Sequence, residues 1–223
     1  MRMTNGRLAT IVIIAVILLD QVLKIWVKTN FYYGEELYIT DWFRLFFIEN
    51  NGMAFGFEFG NKLILTWFRI IAVCFLIYYI VKITSGGRKV NKGYLICVSL
   101  ITAGAAGNMI DCIAYGLIFD NPPYPYVATL FPPGGGYETI FNGRVVDMLY
   151  FPLVEWNWPE WMPLVGGDHF IFFQPVFNIA DAALSVGMIV LILFFSKHLV
   201  VADKIEKGED NATNSDVVSE KKR

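Results

Sequence analysis

The sequence predicts a mainly α membrane protein: four transmembrane helices, a small extracytoplasmic β-rich cradle and an interfacial region of loop and short helix. Three observations carry this prediction. The 223 residues are 56% hydrophobic and 17% charged with mean hydropathy +0.50, too apolar for an ordinary soluble domain. Four apolar runs, about 8–27, 63–83, 94–115 and 177–197, are each long enough to cross a hydrocarbon core of roughly 30 Å. Basic residues flank alternate ends of these runs, with Arg2 and Arg7 before the first, Lys82, Arg88, Lys89 and Lys92 between the second and third, and Lys197 after the last. By the positive-inside rule both termini then face the cytoplasm. A single domain, 1–200, holds all four spans and two outer regions, 28–62 and 116–176; residues 201–223 read as a disordered cytoplasmic tail.

The first run, from Leu8 to Leu19, follows a charged start in the manner of a secretory signal, yet no small-x-small cleavage site follows and the run continues through Trp26, so it reads as a retained span. Within it Asp20 and Lys24 are spaced i, i+4 and share a helix face, where an ion pair offsets part of the cost of burying either charge. That pair reads either as a packing contact or as a support for a site near the outer leaflet. Strand-like pieces follow at Glu36–Thr40 and Phe43–Ile48, rich in aromatic and branched residues. They lead into Asn50-Asn51-Gly52-Met53-Ala54-Phe55-Gly56, an Asn/Gly turn whose amides can also touch a ligand.

The second span carries Arg69 about two turns from its outer end, a depth at which a guanidinium snorkels or takes an acid partner; Asp20 and the outer-loop acids are the candidates. Gly104, Gly107, Asn108 and Asp111 break the third span near its end, and the small residues there permit close helix approach. Asn108 and Asp111 are spaced i, i+3, as are Asn178 and Asp181 at the mouth of the fourth span, which places both pairs at one outer rim. In the long outer region, proline- and glycine-rich stretches at 121–125 and 132–136 rule out one regular element. Trp156, Trp158 and Trp161 join Trp26, Trp42 and Trp67 at predicted outer ends of spans, as an aromatic belt requires; prolines at 152, 159 and 163 keep any interfacial helix there short.

Several chemistries are poorly served by this chain. A net charge of −2 and no basic groove argue against nucleic acid. Cys74, Cys97 and Cys112 are odd in number and lie in or at the end of apolar runs, so they make no disulfide framework. With only His169 and His198, and no HExxH, no metal site and no cofactor are expected. A Cys112 nucleophile paired with His169 is a minor alternative. What remains is carboxylate chemistry. Asn178 and Asp181 follow ordinary helix-start grammar, but Asp147 closes the run Gly143-Arg144-Val145-Val146-Asp147, and Asn108 and Asp111 crowd the same rim. Two acids close together in a partly dry interface cannot both ionise easily. One then takes a proton from water while its protonated partner polarises a carbonyl. The rival readings are a small proton- or ion-coupled transporter or channel lined by Asp20, Lys24, Asp111 and Asp181, and a noncatalytic scaffold.

The ordered series Asp20-Gln21-x-x-Lys24, Asn50-x-Gly52-x-Ala54-Phe55, Gly107-Asn108-x-x-Asp111, Gly143-x-Val145-Val146-Asp147 and Phe177-Asn178-x-Ala180-Asp181 resembles lipoprotein signal peptidase, or signal peptidase II, over about residues 20–187. The resemblance implies an aspartic endopeptidase of the bacterial inner membrane, acting at the outer leaflet on diacylglyceryl-modified prolipoproteins and cutting before the lipidated Cys. It implies Asp147 and Asp181 as catalytic dyad, with Asp20, Lys24, Asn50, Gly52, Asn108, Asp111 and Asn178 shaping or supporting the site. It also implies membrane lipid as a partner and the antibiotic globomycin as an occupant of the site; a monomer is expected. Two departures stand out. The family pattern places Arg after the Asn-x-x-Asp acid, where this chain has Cys112, and Arg144 is the expected substitute. The connection Leu117–Asn142 is also far longer than the family's usual one.

Overall fold

The computed structural model describes residues 3–51, 62–85 and 90–206. Gly52, Ala54 and Phe55, the basic residues Arg2, Arg88 and Lys89, and the tail beyond Glu206 lie outside the described residues. Among the described residues, four helices are long and apolar enough to cross a membrane. The first, α1 (Asn5–Asn30), is capped by Thr4, whose hydroxyl accepts from the Arg7 amide, and it ends where Phe31 turns extended. Next come α2 (Lys62–Thr84) and α3 (Lys92–Ile110), the latter capped by Asn91.

The third span does not break at its glycines. It widens into a π-helical turn, Asp111–Tyr115, and runs on through a last turn, α4 (Gly116–Ile118), as one 27-residue rod. Such a turn commonly marks a functional position, and here it rotates Asp111 and Cys112 onto the inner face, where both are buried.

The third rod is the central one. Its most apolar stretch is 61% buried, against 17%, 17% and 22% for the other spans, whose remaining apolar surface is left for lipid. Small residues make this packing possible, as the sequence suggests. A Cβ built at Gly104 would lie 2.2 Å from the Ala180 carbonyl oxygen of the last helix, α5 (Ile179–Glu206). Backbone cannot yield there as a side-chain tip can, so Gly104→Ala is expected to cost about 1–3 kcal/mol. Thermal unfolding in detergent checks this, and a parallel loss of turnover is expected because Ala180 immediately precedes Asp181.

Four strands cover one end of the helix bundle. They are β1 (Glu36–Thr40), β2 (Phe43–Asn50), β3 (Val145–Tyr150) and β6 (Val176–Phe177), paired antiparallel in the order β1-β2-β3-β6. The second strand runs two residues past the expected end at Ile48, because Glu49 and Asn50 pair with Val146 and Val145. Between β3 and β6 the aromatic segment forms a separate hairpin of β4 (Val154–Asn157) and β5 (His169–Phe172), in place of the short interfacial helix the sequence allowed. Trp156 packs against Phe170 with ring centroids 4.4 Å apart and planes tilted by 40°, and such cross-strand aromatic pairing is available only to an extended chain. Arg44 of β2 ties the hairpin down through Glu155, at 2.6 Å.

The 117–142 connection folds back as a lid on the core of Val27, Phe31, Leu45, Phe47, Tyr115, Phe119, Val146 and Met148 at this end of the bundle. Its backbone is held by amides of Phe131 and Tyr137 donating to the carbonyls of Ile118 and Phe119. Beneath it Lys28 is buried against Glu49 and faces the rings of Phe47, Phe119 and Tyr137 at 5.2–5.8 Å. The fourth span starts at Ile179, later than expected, because Val176 and Phe177 are spent on β6; at its far end helical backbone runs through Glu206, past the expected tail boundary at Val201.

Candidate active site

Asp147 sits in the middle of β3, opposite Ile48 of β2, and two rungs from where Leu149 pairs with Phe177. Because β6 runs directly into α5, that register sets the first turn of α5 beside Asp147. Asn178 joins the two. Its Oδ1 accepts the Asp181 amide at 2.8 Å, the ordinary N-cap bond, while its Nδ2 donates to Asp147 Oδ1 at 2.6 Å and to Asn108 Oδ1 at 3.1 Å. Asn108 Nδ2 in turn donates to Asp181 Oδ1 at 2.6 Å. Each acid therefore receives an amide N–H from one of two asparagines that also bond each other. One side chain thus makes the helix-cap bond with its oxygen and links Asp147 to Asn108 with its nitrogen.

Behind this layer lies a buried ionic one. Lys24, with no exposed surface, contacts Asp20 at 2.8 Å and Asp111 at 2.7 Å and donates to Asn108 Oδ1 at 2.9 Å. Asp20 also accepts the Ala180 amide at 2.8 Å, so an acid from α1 caps the α5 start that Asn178 caps locally. Gln21 donates to Asp111 at 2.8 Å and accepts from Tyr115, and the Val146 amide donates to Asp111 at 3.4 Å. These bonds lock α1, α3, α5 and β3 together around a set with more acids than bases. At the head of β3, Gly143 has no room for a side chain: a Cβ would lie 2.0 Å from the Asp111 carbonyl oxygen.

Asp147 is 3% exposed, and burial first, then the neighbouring Asp181 carboxylate, push its carboxyl up to about 7; hydrogen bonds from Asn178 and Asn50 act against this shift. Asn50, at the end of β2, thus reaches Asp147 as well. Asp181, in the first turn of α5, is half-buried.

Other expected residues fall elsewhere. Arg144 gives its guanidinium to Glu49 at 2.8 Å and Asn121 at 3.3 Å and stacks on Tyr137, so it braces the lid and β2. Among the described residues Arg69 takes no acid partner: Asp20 is already held by Lys24, and Arg69 Nη1 lies 2.9 Å from Cys112 Sγ. His169 bonds Asn157 in the hairpin, so the Cys112–His169 pairing does not form. Gln21, Tyr115 and the Lys28–Glu49 pair that engages Arg144 are participants that the sequence reading left out of the site. The i+4 spacing of Lys24 and Lys28 was a signal for the last, since it sets a second buried cation on the same face of α1.

The family described as Signal peptidase (SPase) II matches residues 12–197 of the chain. A lipoprotein signal peptidase from Porphyromonas gingivalis (strain ATCC 33277) is 47% identical over 196 residues, covering 88% of this chain and 86% of that one. Another, from Amoebophilus asiaticus, is 38% identical over 199 residues, covering 86% and 78%. Two solved bacterial membrane enzymes, determined by the in meso method at 1.9 and 2.3 Å, share the fold with TM-scores of 0.54 and 0.56 at 24% identity. They cover 83% and 85% of this chain, and this chain covers 90% and 87% of theirs.

Proposed function

The chain belongs to the signal peptidase II family, and from that membership we propose that it removes the signal peptide of diacylglyceryl-modified prolipoproteins as an aspartic endopeptidase, with Asp147 and Asp181 as its dyad. The observation that carries the aspartic assignment is the convergence of the two acids on the Asn108–Asn178 pair from separate elements, β3 and the first turn of α5. The transporter reading has no support from the family match or from the Porphyromonas gingivalis and Amoebophilus asiaticus relatives, which bear a peptidase name.

Asp147, buried and pushed up to about 7, holds the shared proton. Asp181, nearer the rim, takes a proton from the attacking water. The water oxygen adds to the peptide carbonyl carbon as the Asp147 proton passes to the carbonyl oxygen. Collapse of the tetrahedral intermediate returns a proton to Asp147 and delivers one from Asp181 to the leaving amine, so both acids are reset and no covalent enzyme intermediate forms. The asparagines stay as donors throughout and keep both carboxyls aimed at one point.

The substrate's signal helix and acyl chains already lie in the bilayer, so the site has to open sideways at a leaflet, and an acid in the first turn of a span has that depth. We place the site at the outer leaflet of the bacterial inner membrane with both termini cytoplasmic. Mass spectrometry of the products from a purified lipidated prolipoprotein in nanodiscs tests the reading. Cleavage before the lipidated Cys, and inhibition by globomycin, are expected; intact substrate after prolonged incubation excludes it.

A pH dependence follows from Asp147. Its proton is needed for carbonyl polarisation, so kcat/KM is expected to fall by about tenfold per pH unit above roughly 7. Stability moves in the same direction at lower pH. The folded carboxyl titrates near 7 and the ordinary one at 3.8, so between these values the folded state keeps a proton that the unfolded chain has released, and this group destabilises the fold as pH rises. Initial rates and thermal midpoints across pH 4–9 check both.

A further inference from the structure

We propose that Arg69 is a substrate-binding residue of this peptidase, offering its guanidinium from α2 to carbonyl oxygens of the lipidated peptide, at the place where the family pattern carries an arginine on the residue after Asp111. The inference rests on the peptidase reading and extends it to a residue on a different helix.

Three features lead to it. Arg69 is half-buried in a transmembrane helix, where a guanidinium is costly unless its donors are satisfied. Among the described residues its one hydrogen-bond partner is the Cys112 sulfur, a weak acceptor, and no carboxylate lies within ion-pair distance. The other four N–H donors of the fork are thus uncommitted. A cation held this way is matched to an oxygen-rich neutral chain that arrives through the bilayer.

Its position is also built. Lys62, Thr66 and Arg69 lie on one face of α2 at i, i+4 and i+7. Lys62 donates to the Asn142 carbonyl at 2.7 Å and Thr66 to the Phe141 carbonyl at 3.1 Å, so this face is stitched to the segment that leads into β3 and Asp147. Cys112 is the residue next to Asp111, whose carboxylate holds Lys24 and the Val146 amide. Arg69 therefore abuts the same π-helical turn that supports the dyad. Arg144 does not compete for the role, because Glu49 and Asn121 engage its guanidinium.

Relocation of the charge tests this. Arg69→Ala in the full chain, reconstituted in nanodiscs, is expected to lower kcat/KM on a lipidated prolipoprotein by about 10- to 100-fold, mainly through KM, with the thermal midpoint little changed. Adding Cys112→Arg to Arg69→Ala is expected to restore most of the loss. Dialkyl ether and diacyl ester forms of the substrate separate the two carbonyl sources: an equal loss on both assigns the contact to peptide carbonyls, and a loss confined to the ester form assigns it to the lipid. Wild-type kcat/KM for Arg69→Ala on both substrates overturns the proposal. So does a loss that a folded Arg69→Ala/Cys112→Arg protein does not recover, since that pattern belongs to packing. Binding of an uncleaved diacylglyceryl lipopeptide to wild type and Arg69→Ala gives a readout independent of turnover. If wild type fails to cleave, the peptidase reading fails, while equal affinities of the two proteins overturn the Arg69 proposal by itself.

Discussion

Asp147→Asn and Asp181→Asn are each expected to reduce cleavage of a lipidated prolipoprotein by about a thousandfold or more, and the double variant to lose little beyond either single one. General acid–base catalysis by a positioned group is worth about 10²–10⁴-fold, and the two carboxyls act as one proton-sharing unit, so removing either removes the whole contribution. The fold is expected to survive. The amide at 147 still offers an oxygen to the Asn178 Nδ2 that now lies 2.6 Å from Asp147, and it cannot ionise in the buried site. A thermal midpoint equal to or above wild type, with turnover lost, is therefore the expected pairing. A folded variant that cuts at the wild-type rate would remove the aspartic mechanism and leave the acids as structural caps.

Lys24→Met has the second largest effect, and it falls on stability first. The lysine is buried between Asp20 and Asp111, at 2.8 and 2.7 Å, and neither acid has more than 1% exposure. Removing the one cation leaves two buried carboxylates uncompensated, a loss of about 3–5 kcal/mol for a broken buried pair. Asp20 also caps α5 at Ala180, and Lys24 holds Asn108 against Asp181, so the dyad loosens along with the helix contacts. Lys24→Met combined with Asp20→Asn and Asp111→Asn is expected to recover much of the stability, because no unpaired charge remains, while turnover stays low. Unfolding in detergent and initial rates on the same preparations give both numbers. Full stability in the single variant would mean that water or lipid headgroups reach this cluster.

Lys24 also shows how much of the molecule was legible before folding. Its i, i+4 relation to Asp20 is a local fact of helix geometry, and so are the four spans, the Asn178 cap and the small-residue seam at Gly104. The ordered motifs named the family, and the described polar residues in them do gather at one end of the bundle. Local periodicity could not tell that Asp111 is the second partner of Lys24, or that Arg69 meets a sulfur, since those contacts join residues on different spans. The π-helical turn was also hidden: glycines near a helix end read as a break, yet Gly104 and Gly107 pack closely against Ala180 and the rod runs on through Asp111–Tyr115.

The 154–172 segment was ambiguous for a related reason. Its prolines limit a helix without specifying a strand, and the choice of hairpin rests on cross-strand partners such as Trp156 and Phe170 that lie far apart in the chain. Composition and periodicity by themselves determined a four-span membrane protein with acids at the mouths of its helices, because hydrophobic burial in a bilayer is set by local length and pattern. Only the tertiary structure decided which acids meet. The register of β3 between β2 and β6, and the approach of α5 to α3 over Gly104, bring Asp147 and Asp181 to one pair of asparagines, and such long-range contacts are chosen by the packing of the whole chain.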